Sequence, residues 1–187
     1  MDRRRLTSLL IAGKLALLVA LALPPLGSAE TPATATGLTT AATTFQRASG
    51  GDDSAIGPAA AQFTTLSRRQ PLDPLLLAYA GAATSMQART TWLPWKKMGY
   101  AEDGLAQIDK ALSLLTPAHD TVPPRGVPVA LETKLTAAGT FLALPSLFHR
   151  GERGRHLLDE VMQHPAYAGT PAAFQEAARK IAAKAAP

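Results

Sequence analysis

The stretch that decides the fold is "YAEDGLAQIDKALSLL", residues 100–115. Its apolar residues recur at steps of four, three, four and three, at positions Ala101, Leu105, Ile108, Leu112 and Leu115. Because an α-helix turns once in about 3.6 residues, side chains at this spacing lie on one face. The stretch is therefore predicted to be an amphipathic helix whose apolar face packs against a core.

The same period recurs along most of the chain. Apolar stripes of this kind begin in five other segments, at Ile56, Leu76, Leu131, Leu157 and Phe174. Asp73 followed by Pro74 is typical of a helix start, whereas Pro123 and Pro124 would end any helix that reached them. No segment alternates apolar and polar residues as a half-buried strand does. The predicted fold class is all-α, with six to seven helices arranged as antiparallel hairpins.

The N-terminus has the features of a secretory signal peptide. Three arginines at positions 3–5 precede the apolar run "LTSLLIAGKLALLVALALPPL", and Gly27 and Ala29 are the small residues that signal peptidase requires. Residues 1–29 are therefore predicted to be removed, which places the mature protein in the periplasm or outside the cell. The alternative is an uncleaved membrane anchor, but the uncharged apolar run is shorter than the roughly 20 residues of a span. No transmembrane span is expected after cleavage.

The remainder is predicted to contain a short leader and one domain. Residues 30–44 are rich in Thr and Ala and low in charge, so we expect a flexible leader, followed by a helical-repeat domain over 45–187. The chain has no cysteine, so packing alone must hold the domain together. The net charge is +5; residues 1–29 hold three Arg and one Lys against one Asp, or +3, which leaves +2. This small excess does not indicate a nucleic-acid partner.

Three of the predicted helices share one pattern, in which a small residue is followed by two apolar residues and a proline. The three sets are Ala59, Phe63, Leu66, Pro71; Gly104, Ile108, Ala111, Pro117; and Gly154, Leu158, Val161, Pro165. The small residue lets a neighbouring helix approach, and the proline ends the helix. The pattern resembles the second helix of a tetratricopeptide repeat (TPR), although the units recur about every 45 to 50 residues instead of the usual 34.

The resemblance to the TPR superfamily covers residues 50–165. The segments 73–112 and 131–161 are also similar to uncharacterised secreted TPR-like proteins of bacteria, for which no activity is known to carry over. The resemblance implies a TPR-like right-handed solenoid fragment and a role in binding other proteins.

The segment "TTWLPWKKMGY", residues 90–100, holds both tryptophans of the chain with a proline between them. It is expected to connect a helix over 74–89 to a helix over 98–115. One interpretation is that the rings plug the end of this hairpin. The other is a partner-binding surface made by Trp92, Trp95, Lys96, Lys97 and Tyr100, since tryptophan is favoured at interfaces. The expected geometry is mixed, with one ring buried and the other exposed to solvent.

The sequence gives little support for catalysis or for a metal site. His156 and His164 are eight residues apart, about 12 Å along a helix, which is too far for one zinc ion to bind both. There is no cysteine nucleophile and no serine in a nucleophile-elbow motif. We expect no catalytic residue, no metal and no cofactor. The basic stretch "HRGERGRH" over 149–156 is interpreted as a solvated helix end or, alternatively, as a contact for an anion or an acidic partner.

Two functions therefore remain open. The leading hypothesis is a secreted or periplasmic TPR-like protein-interaction module without catalytic activity, which binds a protein or peptide of the cell envelope in a groove of small and apolar side chains. The alternative is a small-ligand or lipid-surface binding helical protein that uses the connector containing Trp92 and Trp95.

Overall fold

The computed structural model describes residues 32–123 and 125–185, which belong to one compact unit. The predicted signal peptide lies outside these residues. Within them the chain forms seven α-helices: α1 (Pro32–Ser49), α2 (Ile56–Arg69), α3 (Pro74–Met86), α4 (Pro94–Ser113), α5 (Val129–Ala143), α6 (Gly151–Gln163) and α7 (Ala172–Ala185). Short 3-10 turns join several of them, and no strand occurs in this part of the chain. The prediction of an all-α fold is confirmed.

The first helix corrects the expectation of a flexible leader over residues 30–44. α1 begins at Pro32, and Ala41 on it is fully buried beside Phe63 of α2 and Leu76 of α3. A flexible leader was expected because the segment has no large apolar residues to bury in a core. Alanine is the best helix former, and its small side chain fills a close helix-helix contact. Order therefore begins well before Phe45.

α3 is the central helix and packs on α1, α2, α4 and α5. Every residue from Pro74 to Ser85 is buried except Tyr79, which is partly buried. A helix of Leu, Ala and Gly that is apolar on all sides is expected to lie inside a protein. The Asp73 carboxylate caps its start by accepting hydrogen bonds from the backbone N–H groups of Leu75 and Leu76, at 2.9 and 3.0 Å. α3 consequently lines no open groove.

Consecutive helices pack in the pairs α1–α2, α3–α4 and α5–α6. The pairs α3–α4 and α5–α6 approach closely at glycines of the repeated pattern. A Cβ atom on Gly104 would lie only 2.8 Å from the backbone nitrogen of Ser85 on α3, and one on Gly154 would lie 2.9 Å from Leu142 Cγ on α5. The prediction that these small residues admit a neighbouring helix is confirmed at both glycines.

Candidate binding surface

Both tryptophans lie at the end of the α3–α4 hairpin, in a segment called the tip here and defined as residues 90–100. A 3-10 turn over Gln87–Arg89 follows α3, and α4 begins at Pro94, four residues before its expected start. Proline suits the first helical position because its fixed φ is already helical and its missing N–H would be unpaired there. Leu93 before it is extended, with φ −76° and ψ 115°, as residues before proline usually are. Trp95 therefore lies on the first turn of α4 and not in a loop.

Both tryptophan rings are exposed. Trp92 is 83% and Trp95 67% accessible to solvent. The expectation that one ring is buried in the hairpin is wrong, and neither ring plugs it. The packing of α3 on α4 gives the reason. Gly81 of α3 lies against Gly104 and Ile108 of α4, and the two helices are antiparallel. Because α3 ends at Met86, only the segment that connects the two helices lies opposite the first turn of α4.

The helix α6 also lies away from the tip, since His164 at its end is beside Asp120, which follows α4. The start of α6 lies beside Asp109, because Arg150 and Arg153 both bind its carboxylate. Asp109 is fifteen residues along α4 from Pro94, about 22 Å at 1.5 Å per residue. The buried face of α4 begins only at Ala101. The first two turns of α4, residues 94–100, therefore bury no residue against the helices that pack on the rest of it.

The tip combines aromatic and cationic side chains. Lys96 and Lys97 are exposed and make no ion pair with another described residue, whereas Tyr100 is partly buried. Met98, which was not among the predicted contact residues, is 40% exposed and lies three residues after Trp95, on the same side of the helix. No Asp or Glu occurs between Asp73 and Glu102. The tip is thus an apolar surface with two unpaired positive charges and no carboxylate in its own segment.

The basic stretch over 149–156 has a structural role. Arg150 donates two hydrogen bonds to the Asp109 carboxylate, at 3.2 and 2.7 Å, and Arg153 donates one at 2.6 Å. Both guanidinium groups also lie 5.4 Å from the centre of the Phe141 ring, a distance at which cation–π attraction acts. Arg150 and Arg153 therefore link α4 to α6, a role that neither the solvated-end nor the anion-contact interpretation included, although Arg153 remains exposed to solvent.

A second polar link connects α3 to α5. The Tyr79 hydroxyl donates a 2.8 Å hydrogen bond to Glu132, whose other carboxylate oxygen accepts one from Arg125. The Tyr79 ring stacks on Phe63, with ring centres 4.8 Å apart. Burial, followed by the negative charge of Glu132, raises the pKa of Tyr79 above its ordinary value. The hydroxyl is therefore held as a neutral hydrogen-bond donor inside the domain.

Two of the histidines that invited a metal hypothesis pair with carboxylates. His156 Nδ1 lies 2.8 Å from Glu160, and His164 Nε2 lies 3.8 Å from Asp120. In the described part of the chain, no three metal-ligating side chains come together. Each helix in that part is also too short or too polar to cross a membrane.

Comparison of the chain with protein-family models, with curated proteins and with solved structures gives no match. The resemblance to TPR proteins therefore rests on the sequence patterns quoted above and remains a prediction.

Proposed function

We propose that this protein is a TPR-like interaction module without catalytic activity, which acts in the cell envelope or outside the cell. The order of helix packing supports a solenoid fragment. α3 packs on α2 of the preceding hairpin, α5 packs on α3 and α4, and α7 packs on α5 and α6. Each hairpin thus stacks on the one before it, as in helical-repeat proteins. The proposed location rests on the signal-like features of residues 1–29.

In this proposal the module contacts its partner through the tip. The observation that carries the proposal is the exposure of both tryptophan rings, with Lys96, Lys97 and Tyr100 beside them. Tryptophan contributes strongly to binding because one rigid ring buries a large area and still offers an N–H donor. Since α3 is buried on all sides, an inner groove along this helix is a poorer candidate than the tip.

Two classes of partner suit this surface. A protein or peptide is the partner that the TPR resemblance implies. A lipid surface is the second candidate, and the absence of any acidic residue between Asp73 and Glu102 favours it. Tryptophan and lysine are the residues that commonly anchor proteins at a membrane interface.

Site-specific photo-cross-linking in the native cell envelope tests whether the tip makes the contact. Three variants would each carry one benzophenone amino acid, in place of Trp92, Trp95 or Leu72. Leu72 is a matched control because it is 75% exposed but lies between α2 and α3. Cross-linked products are expected from positions 92 and 95 only. Products of equal yield from all three positions, or none from the tip, would contradict the proposal.

A further inference from the structure

We propose that the tip binds the surface of an anionic lipid bilayer. This inference rests on the proposed function, because it uses the same contact surface and commits to one of the two partner classes. Three properties of the tip carry it: its charge, its shape and the kind of apolar residue that it exposes.

The charge of the tip is complementary to phosphate headgroups. Lys96 and Lys97 follow each other in the first turn of α4, are exposed, and make no ion pair with another described residue. Arg89 at the base of the tip is paired with Asp53, so the two lysines hold the free positive charge. Residues 74–101 contain no carboxylate, so no acidic group of the tip's own segment repels an anionic surface. A lysine close to such a surface strengthens binding about fivefold.

The shape of the tip suits a flat partner. No residue of α4 before Ala101 is buried, and Trp95, Lys96 and Lys97 on this part of the helix are exposed, so these side chains face solvent and are not enclosed in a cleft. A peptide that binds in an extended or helical form needs a groove or a sheet edge. A bilayer surface needs neither, because an exposed apolar end can enter the headgroup region directly.

The exposed apolar residues are of the interfacial type. Trp92 and Trp95 account for both tryptophans of the chain, and Met98 extends the apolar surface from Trp95 along α4. Tryptophan prefers the headgroup level of a membrane because its ring is apolar while its N–H still requires a polar partner. Rings and lysines therefore have complementary roles, the rings at the boundary between headgroups and acyl chains and the ammonium groups at the phosphates.

Tryptophan fluorescence of the mature chain, which begins at Glu30, provides a direct test, since every tryptophan lies in the tip. The probes are vesicles of phosphatidylcholine and phosphatidylglycerol in equal parts, and vesicles of phosphatidylcholine alone. We expect a blue shift with the anionic vesicles, in the wild type and in Trp92→Phe and Trp95→Phe, each of which leaves one reporter. Lys96→Gln together with Lys97→Gln should weaken binding about 25-fold, and added salt should weaken it in the wild type.

The matched control is Arg68→Gln with Arg69→Gln, which removes an equal charge from an exposed basic pair at the end of α2. This variant should bind as the wild type does. Every protein compared begins at Glu30, the predicted mature start, so the cationic and apolar residues 1–29 do not contribute to vesicle binding. The substituted lysines and arginines are exposed, and all variants should keep the melting temperature of the wild type.

The inference is overturned if anionic vesicles cause no blue shift, if phosphatidylcholine alone causes the same shift, or if the arginine control loses as much affinity as the lysine variant. A failure with vesicles, combined with a cross-link from position 92 to a protein, would assign the tip to a protein partner and leave the proposed function standing. A failure in both experiments would remove the proposed function as well.

Discussion

Gly81 and Gly104 face each other where α3 crosses α4, and their backbones are in contact. A Cβ atom on Gly81 would lie 2.6 Å from the carbonyl oxygen of Gly104, and one on Gly104 would lie 2.5 Å from that of Gly81. Neither helix can move aside easily, because α3 is enclosed by its neighbours on every side. This contact sets the position of α4 and, with it, the position of the tip.

Gly104→Ala should destabilise the domain by about 1 to 3 kcal/mol, because the added methyl group meets the Ser85 hydroxyl and also the backbone oxygen of Gly81 and nitrogen of Ser85, and these backbone atoms cannot rotate away. Gly99→Ala is the control on the same helix, where a Cβ atom would have nothing within 4 Å. It should be neutral or stabilise by up to about 1 kcal/mol, since alanine is the better helix former. Denaturant unfolding measures both. Equal midpoints for the two variants would show that the crossing is looser than described.

A double-mutant cycle should detect the link between α4 and α6. Asp109→Ala and Arg150→Ala are expected to couple by about 0.5 to 1 kcal/mol, since the pair is bidentate but partly exposed to solvent. A second cycle with Arg155→Ala in place of Arg150→Ala is the control, because Arg155 is exposed and makes no ion pair with another described residue. Its coupling should be near zero. Equal coupling free energies in the two cycles would contradict the structural role assigned to Arg150.

Tyr79 should make the domain less stable at alkaline pH. Its pKa is raised above the ordinary value of 10.0 by burial and then by the charge of Glu132. Above that pH the unfolded chain releases the tyrosine proton while the folded chain keeps it, so the unfolded state binds fewer protons and stability falls as pH rises. The fall attributable to Tyr79 is about 1.4 kcal/mol per pH unit above 10.0.

Tyr79→Phe removes the titrating group and is the comparison that isolates it. Near neutral pH the variant should be less stable than the wild type by about 1 kcal/mol, the net value of a typical hydrogen bond. The difference should shrink as pH rises past 10.0. Unfolding free energies measured across this range would argue against the assignment if the two proteins followed parallel curves.

Processing after Ala29 is expected from the small residues at Gly27 and Ala29. Mass spectrometry of the envelope and secreted fractions should find Glu30 as the first residue. Recovery of the intact N-terminus from a membrane pellet would instead indicate the uncleaved anchor.

The apolar period predicted the helices from α2 to α7 well, because a 3.6-residue repeat places side chains on one face whatever packs against it. Ile108 and Val161 are fully buried, as their stripes indicate. The same reasoning missed α1, whose contact with the core depends on alanines such as Ala41. A small residue leaves no clear periodic signal in an alanine-rich segment.

The residue types of the tip were determined by the sequence alone: two tryptophans, two lysines and no carboxylate within residues 90–100. Whether Trp92 and Trp95 are buried was decided by the tertiary structure, because a side chain near a helix end is covered only if a neighbouring helix reaches it. α3 ends at Met86, and α6 begins at the level of Asp109. The sequence likewise could not identify the partner of Arg150, since Asp109 is 41 residues away and only the folded chain brings the start of α6 beside this part of α4.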